Sequence, residues 1–345
     1  MVINKSRYRF IVFVSFAVLI VLIAFAAAIG TVKISVLDVF KTLLSRFELI
    51  NGSKILKTNE IIIFNIRIPR ALLACFIGMG LSMVGLVYQG IFKNPMADPF
   101  VLGTSSGSAL GAAIAIVLGI EKTFLGLSSI AGCAFAGAIL TTFVVYNIAK
   151  VGNRASNTNL LLSGVAMNFF LSSIISFIMV LDRNQVEKIV FWTLGSLAGA
   201  NYKNVLLLMV ITIPSGLIIY SFARDLNIIT TGEETASSLG VEVERVKNLM
   251  FIISSLIVAT CVSVSGIIGF VGLIMPHIVK IIIGPDYKKA LPLTLLWGAS
   301  FMVLCDILSR SLLSPAEIPV GVITSFFGAP YFIYLLYKDK KKVIQ

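Results

Sequence analysis

Polar and apolar positions along this chain segregate into long blocks rather than alternating with the short periods of a water-soluble fold. Cut at every Asp, Glu, Lys and Arg, the sequence leaves nine long charge-free pieces: 10–30, 71–92, 99–120, 123–149, 155–181, 204–223, 248–279, 290–305 and 318–337. A helix needs about 20 apolar residues to cross roughly 30 Å of hydrocarbon, so these pieces predict membrane-spanning helices. The 32 residues of 248–279 would make about 48 Å of straight helix, too long for one crossing, and they contain Ser263, Ser265, Gly266, Gly269 and Gly272. Two shorter spans are expected there, giving about ten. The fold class read from this pattern is all-α: a polytopic membrane bundle forming a single transmembrane domain over 1–345. The longest polar pieces, 31–60 and 224–247, are too short for a soluble domain.

Composition sharpens this picture. Apolar residues make up 58% and charged residues 13% of the 345, against about 45–50% and about 25% in soluble domains, and the mean hydropathy is +0.99. A soluble enzyme is excluded. The net charge of +12 does not point to nucleic acid, because the dense basic run is confined to the tail, Lys338, Lys340, Lys341 and Lys342, and not spread over a polar domain. Basic residues near span ends favour the cytoplasm. Lys5, Arg7 and Arg9 at one terminus and the lysine tail at the other therefore put both inside, which requires an even number of spans. That topology leaves 16 Lys and Arg inside and 12 outside. The first span has the basic start and the small residues Ala26, Ala27 and Ala28 of a secretory signal, but it exceeds the usual signal core and is read as a retained helix. Gly107 with Gly111, and Gly195 with Gly199, have the spacing that lets helices approach closely in lipid.

Candidate chemistry is sparse. No phosphate-binding loop, zinc-protease motif or nucleophile elbow is present. Cys75, Cys133, Cys261 and Cys305 stand singly, and there is one histidine, so no catalytic residues, metal site or cofactor are expected on this chain. Asp306, an acid inside a span, lies four residues before Arg310 on one helix face and is read as its partner. An ion-coupled transporter would need more ionisable groups at membrane depth. His277 is read as a structural hydrogen-bond donor. In the inner piece 224–247, Thr231 and Glu234 have capping-box spacing, which predicts a short helix with an apolar edge at Ala236 and Leu239. Gly240 suits the left-handed residue that closes a helix. Helix, glycine, helix is a shape that can seat in a partner's groove. Arg67, Arg70 and Arg310 fall on the outer side against the positive-inside tendency, and guanidinium forks there are suited to carboxylates of an external partner.

Several longer motifs resemble a known family. RIPRALLACFIGMGLSMVGLVYQGIFKNPMADPFVLGTSSGSALG (67–111), FWTLGSLAGA (191–200), TTGEETASSLGV (230–241), GFVGLIMPHIVK (269–280) and DILSRSLLSPAEIPVGVITSFFGAPYFIYLL (306–336) are similar, in order, to the permease subunits of binding-protein-dependent ABC importers for ferric siderophores, haem and vitamin B12. Met96 and Lys280 stand where that family usually has Leu and Arg. The resemblance implies a vitamin-B12-permease-like bundle in a prokaryotic cell membrane, paired with a second copy or a related permease. The fifth helix, starting near Leu160, would line the path on the two-fold axis. It implies inner-gate positions at Asn94, Pro95, Met96, Ala97, Asn157 and Thr158. It also implies a loop docking on an ATPase subunit at Gly232, Glu233, Glu234, Ala236, Leu239 and Gly240, with ATP and magnesium bound by that subunit. Contacts to an external substrate-binding protein would fall at Arg67, Arg70 and Arg310. The function implied is import of a ferric siderophore or similar metal chelate. Cobalamin or haem import, and ion-coupled secondary transport, are the alternatives.

Overall fold

A computed structural model describes residues 4–30, 34, 35, 39, 42, 57–120, 123, 124, 127–151 and 154–344. Of the polar piece 31–60, only 34, 35, 39, 42 and 57–60 fall among these. Among the described residues thirteen helices carry the fold: α1 (Lys5–Ala28), α2 (Ile68–Ile91), α3 (Thr104–Val117), α4 (Ser129–Ala149), α5 (Asn157–Leu181), α6 (Val186–Thr193), α7 (Tyr202–Ser221), α8 (Ala223–Thr231), α9 (Glu233–Ser238), α10 (Val243–Ser265), α11 (Val271–Ile283), α12 (Tyr287–Ser311) and α13 (Val320–Ile344). A helical turn, Lys57–Ile61, and a π turn, Ile62–Arg67, lead into α2. Seven of the described helices are long and apolar enough to cross a bilayer, and Thr104–Val117, Val271–Ile283 and Val320–Leu335 are shorter apolar ones. Together they match the ten expected.

The piece 248–279 divides as expected. Helix α10 ends at Ser265, Gly266 takes φ 69°, a left-handed backbone that favours glycine, and α11 starts at Val271. Irregular backbone inside a membrane protein must be covered by protein. Here the Ser265 carbonyl accepts from the Ser196 amide at 2.7 Å, and a side chain on Gly195 would strike the Ile267 carbonyl. This corrects the reading of Gly195 and Gly199 as a helix-packing pair: neither is in a helix, and the space around Gly199 is open. Gly107 and Gly111 do pack as expected, their faces lying against Gly137 and Cys133 of α4.

Helix α2 is the central column. Across its most apolar window 83% of the helical run Thr58–Ile91 is buried, against 17% for α5 and 22% for α1. It packs on α7, α10, α11 and α12. At its contact with α12, a side chain on Gly78 would meet the Gly298 carbonyl at 2.2 Å. Helix α12 extends past the charge-free piece 290–305 at both ends, because Asp306 and Arg310 pair within it and Lys288 and Lys289 lie in its first turn.

Candidate coupling and gating site

At the end where α2 finishes, the chain turns through Asn94, Pro95, Met96 and Ala97. Asn94 Oδ1 accepts from the Met96 amide at 2.9 Å, and four residues on Asp98 Oδ1 accepts from the Phe100 amide at 2.8 Å. Two successive Asx turns thus shape the segment, leaving Pro95 exposed and Ala97 buried. Burial pushes the Asp98 carboxyl up to about 6, with the Phe100 amide bond acting the other way. Asn157 opens α5 on the same spot: its Nδ2 donates to the Ile91 carbonyl at 3.0 Å, one of the helix-end acceptors that lack a partner within the helix. The structure therefore brings Asn94–Ala97 and Asn157 together, with Thr158 exposed beside them.

The piece 224–247 forms three helical runs at this end. The capping-box expectation is corrected. Thr231 is the last residue of α8, and its hydroxyl donates back to the Ile228 carbonyl at 2.8 Å, so Gly232 and not Thr231 stands at the start of α9. Gly240 closes α9 as expected, with φ 83°. Its amide bonds the Ser237 carbonyl and the Val241 amide bonds the Ala236 carbonyl, both at 3.0 Å, which is the Schellman pattern. The expected apolar edge is corrected too: Ala236 is fully buried in the core, and Leu239 alone of the two is presented, at 66% exposure. Glu233 pairs with Lys247 at 3.1 Å, supplying the counter-charge a buried ammonium requires. Glu234 is exposed. A cleft of about 820 Å³ lies between Glu233, Glu234 and Ser237 on one side and Glu242, Glu244 and Arg245 on the other.

At the opposite end of α2, Arg67, Arg70 and Arg310 are 3%, 5% and 4% exposed. Arg70 Nε reaches Asp306 Oδ1 at 2.8 Å, Arg310 Nη2 reaches Asp306 Oδ2 at 3.0 Å, and Arg70 Nη1 reaches Glu317 Oε2 at 2.9 Å. Arg67 Nη1 donates to the Ala27 and Ala28 carbonyls, and Arg310 to those of Ala26 and Ile29. The pairing of Asp306 with Arg310 is as expected. The carboxylates that meet Arg70 and Arg310, however, are the chain's own, and the cluster closes the end of α1. His277 sets its ring edge against Tyr331, centroids 6.3 Å apart.

Sequence reasoning missed Glu317, Lys247 and Asp98. Asp98-Pro99 repeats Asn94-Pro95 four residues on, so the second Asx turn was visible. Glu317 lies 247 residues from Arg70, and no local pattern links them.

Residues 18–338 match the FecCD transport family. The chain belongs to that family. Among FecCD relatives it is 39% identical over 280 residues to a cobalamin import system permease protein of Halobacterium salinarum, covering 81% of this chain and 74% of that one. It is 35% identical over 280 residues to a hemin transport system permease protein of Yersinia pestis, covering 81% and 84%. A solved structure described as an inward-facing conformation of a transporter ascribed to the metal-chelate ABC type superposes with a TM-score of 0.81 at 32% identity, covering 95% of this chain and 99% of that one. The FecCD bundle described above is accordingly a multi-pass ABC importer permease.

Proposed function

We propose that this permease imports a metal chelate, a ferric siderophore by preference over cobalamin or haem, with energy from a separate ATPase subunit and cargo delivered by an external binding protein. The observation that carries the reading is the adjacency at one end of α2. The helix–glycine–helix segment 223–241, the turn Asn94–Ala97 and the first residue of α5 all meet there, so a force applied to the segment acts next to the proposed gate. Gly232, Glu233, Glu234, Leu239 and Gly240 form the ATPase contact, with Ala236 anchoring it from beneath. That end faces the cytoplasm, together with both termini.

Helix α5 supports the pathway assignment. Leu162, Phe169 and Phe177 are 62–73% exposed, and Ser172, Ser173 and Ser176 are exposed with them, a mixed face suited to a second permease copy and a wetted path between the two. Docking of the binding protein is proposed at the arginine end in an altered form: Glu317, whose side chain is 34% exposed, is the carboxylate an external acid would displace from Arg70. The metal-chelate transporter whose fold this chain shares supports the cargo class, and the growth comparison below decides among ferric siderophore, cobalamin and haem. Asp306 is engaged by two guanidiniums, which argues against its acting as an ion carrier. Uptake into vesicles tests the reading: accumulation is expected only with both partners and Mg-ATP, and accumulation without the ATPase refutes it. Growth rescue under iron starvation, compared with growth without corrinoid, tests the cargo.

A further inference from the structure

The segment 223–241 grips the bundle through a reciprocal amide pair. Asn227, midway along α8, donates from Nδ2 to Asp286 Oδ1 at 2.9 Å and accepts at Oδ1 from the Tyr287 amide at 2.9 Å. Asp286 in turn caps α12, accepting from the Lys288 amide at 3.1 Å. Asn227 thus holds a helix N-terminus, whose amides otherwise lack acceptors.

Tyr287, the first residue of that helix, is 1% exposed and turns into the core. Its hydroxyl donates to the Leu86 carbonyl of α2 at 2.9 Å. The same hydroxyl fills the notch left by Gly90: a methyl group there would lie 1.8 Å from it and 3.5 Å from Thr230 Cγ2 of α8. The next residue of α2, Ile91, presents the carbonyl that Asn157 holds. A continuous line of contacts therefore runs from α8 through Tyr287 to the last turn of α2 and on to α5. Packed side chains and hydrogen bonds between rigid elements are the physical means by which a displacement is passed on, and in a close-packed interior a shift at one member moves the next.

We propose that Asn227 and Tyr287 are positioning residues for transport, carrying displacement of α8 and α9 to the turn Asn94–Ala97 and to Asn157. This rests on the reading of 232–240 as the ATPase contact. The test uses the permease with its ATPase partner in lipid vesicles. Thr158→Cys supplies a reporter and Cys133→Ser removes the native thiol that is not buried. The readout is the ratio of labelling rates by a water-soluble maleimide with and without Mg-ATP and vanadate. Tyr287→Phe, which removes only the hydroxyl, and Asn227→Asp, which sets two carboxylates together, should each cut that ratio by about fivefold or more, the lower range of site-to-site coupling. Co-purification of the ATPase should persist. The double variant Asn227→Asp with Asp286→Ser restores a donor facing an acceptor and should recover the response. In it, a single hydroxyl at the head of α12 accepts from the Lys288 amide, as Asp286 Oδ1 does now, and donates its proton to the carboxylate introduced on α8. A role in folding alone would not give that rescue. Responses unchanged in Tyr287→Phe and Asn227→Asp overturn the relay. Loss in Asn227→Asp without rescue overturns the Asn227 link. A parent complex whose labelling at position 158 ignores nucleotide overturns the gate assignment, and the relay with it.

Discussion

Replacing Asp306 by Asn keeps the shape of the side chain and removes one negative charge from the middle of the arginine cluster. The cluster holds three guanidiniums against two carboxylates, Asp306 and Glu317. The remaining positive charge faces the carbonyls of Ala26, Ala27, Ala28 and Ile29 at the end of α1, where the helix dipole places about half a negative charge. Asp306 is 0% exposed, so Asp306→Asn leaves uncompensated guanidiniums in a buried site, a change that costs about 3–5 kcal/mol. At roughly 2 °C per kcal/mol, the low end for chains of about 150–250 residues, the apparent melting temperature of the purified permease in detergent should fall by about 6–10 °C. Glu317→Gln is the internal control. Its side chain is 34% exposed, a solvent-exposed ion pair contributes about 0–1 kcal/mol, and Arg70 keeps its bond to Asp306. Melting followed by tryptophan fluorescence distinguishes the two. Equal small shifts for both variants would refute the view that Asp306 is the counter-charge on which the cluster closes.

Exchanging Glu233 and Glu234 for Lys should weaken ATPase co-purification at least tenfold while binding-protein capture persists. Glu233→Gln alone should give a smaller effect, because it chiefly frees Lys247. Burial raises the Asp98 carboxyl to about 6, so between about pH 4 and 6 the folded state holds the proton that the unfolded chain has released, and stability falls as pH rises through that window. Asp98→Asn keeps an acceptor for the Phe100 amide, so a series of melts against pH should lose that component of the slope. A side chain at Gly111 would meet the Cys133 carbonyl at 2.1 Å, whereas Gly132 faces open space. Gly111→Leu should therefore cost at least about 1–3 kcal/mol and Gly132→Ala almost nothing by the same melting assay.

The helices were legible because the bilayer requires long apolar runs, and the break in 248–279 was legible because serine and glycine cluster where the helix stops. The boundaries of α12 were not. Charge marks the end of a span only when the charge faces lipid or water, and Asp306 and Arg310 neutralise each other inside the bundle. Thr231 misled for a related reason: a hydroxyl caps the next helix only if its own backbone is not already helical, and α8 runs through it. Asn94 and Asn157 were found through motif resemblance, but the bond from Asn157 to Ile91 spans 66 residues and has no local signature. Asp286 could have been found, since Asp after Gly284-Pro285 and before an apolar run is an N-cap signal. Its partner Asn227 could not, because that pairing depends on where α8 lies against α12.

Most of the side-chain bonds that fasten the first helix come from groups that arrive late. Tyr8 bonds Lys289, Ser15 bonds Trp297 and the Ala26 carbonyl bonds Arg310, separations of 281, 282 and 284 residues. At a synthesis rate of about 5–20 residues per second, the N-terminal segment waits roughly 15 seconds to a minute in the bilayer before these fasteners emerge from the ribosome. Biogenesis of this protein therefore closes largely from its far end, and a nascent chain stalled short of the twelfth helix would leave the first one tied through Arg67 but without its other fasteners, and so open to membrane quality control.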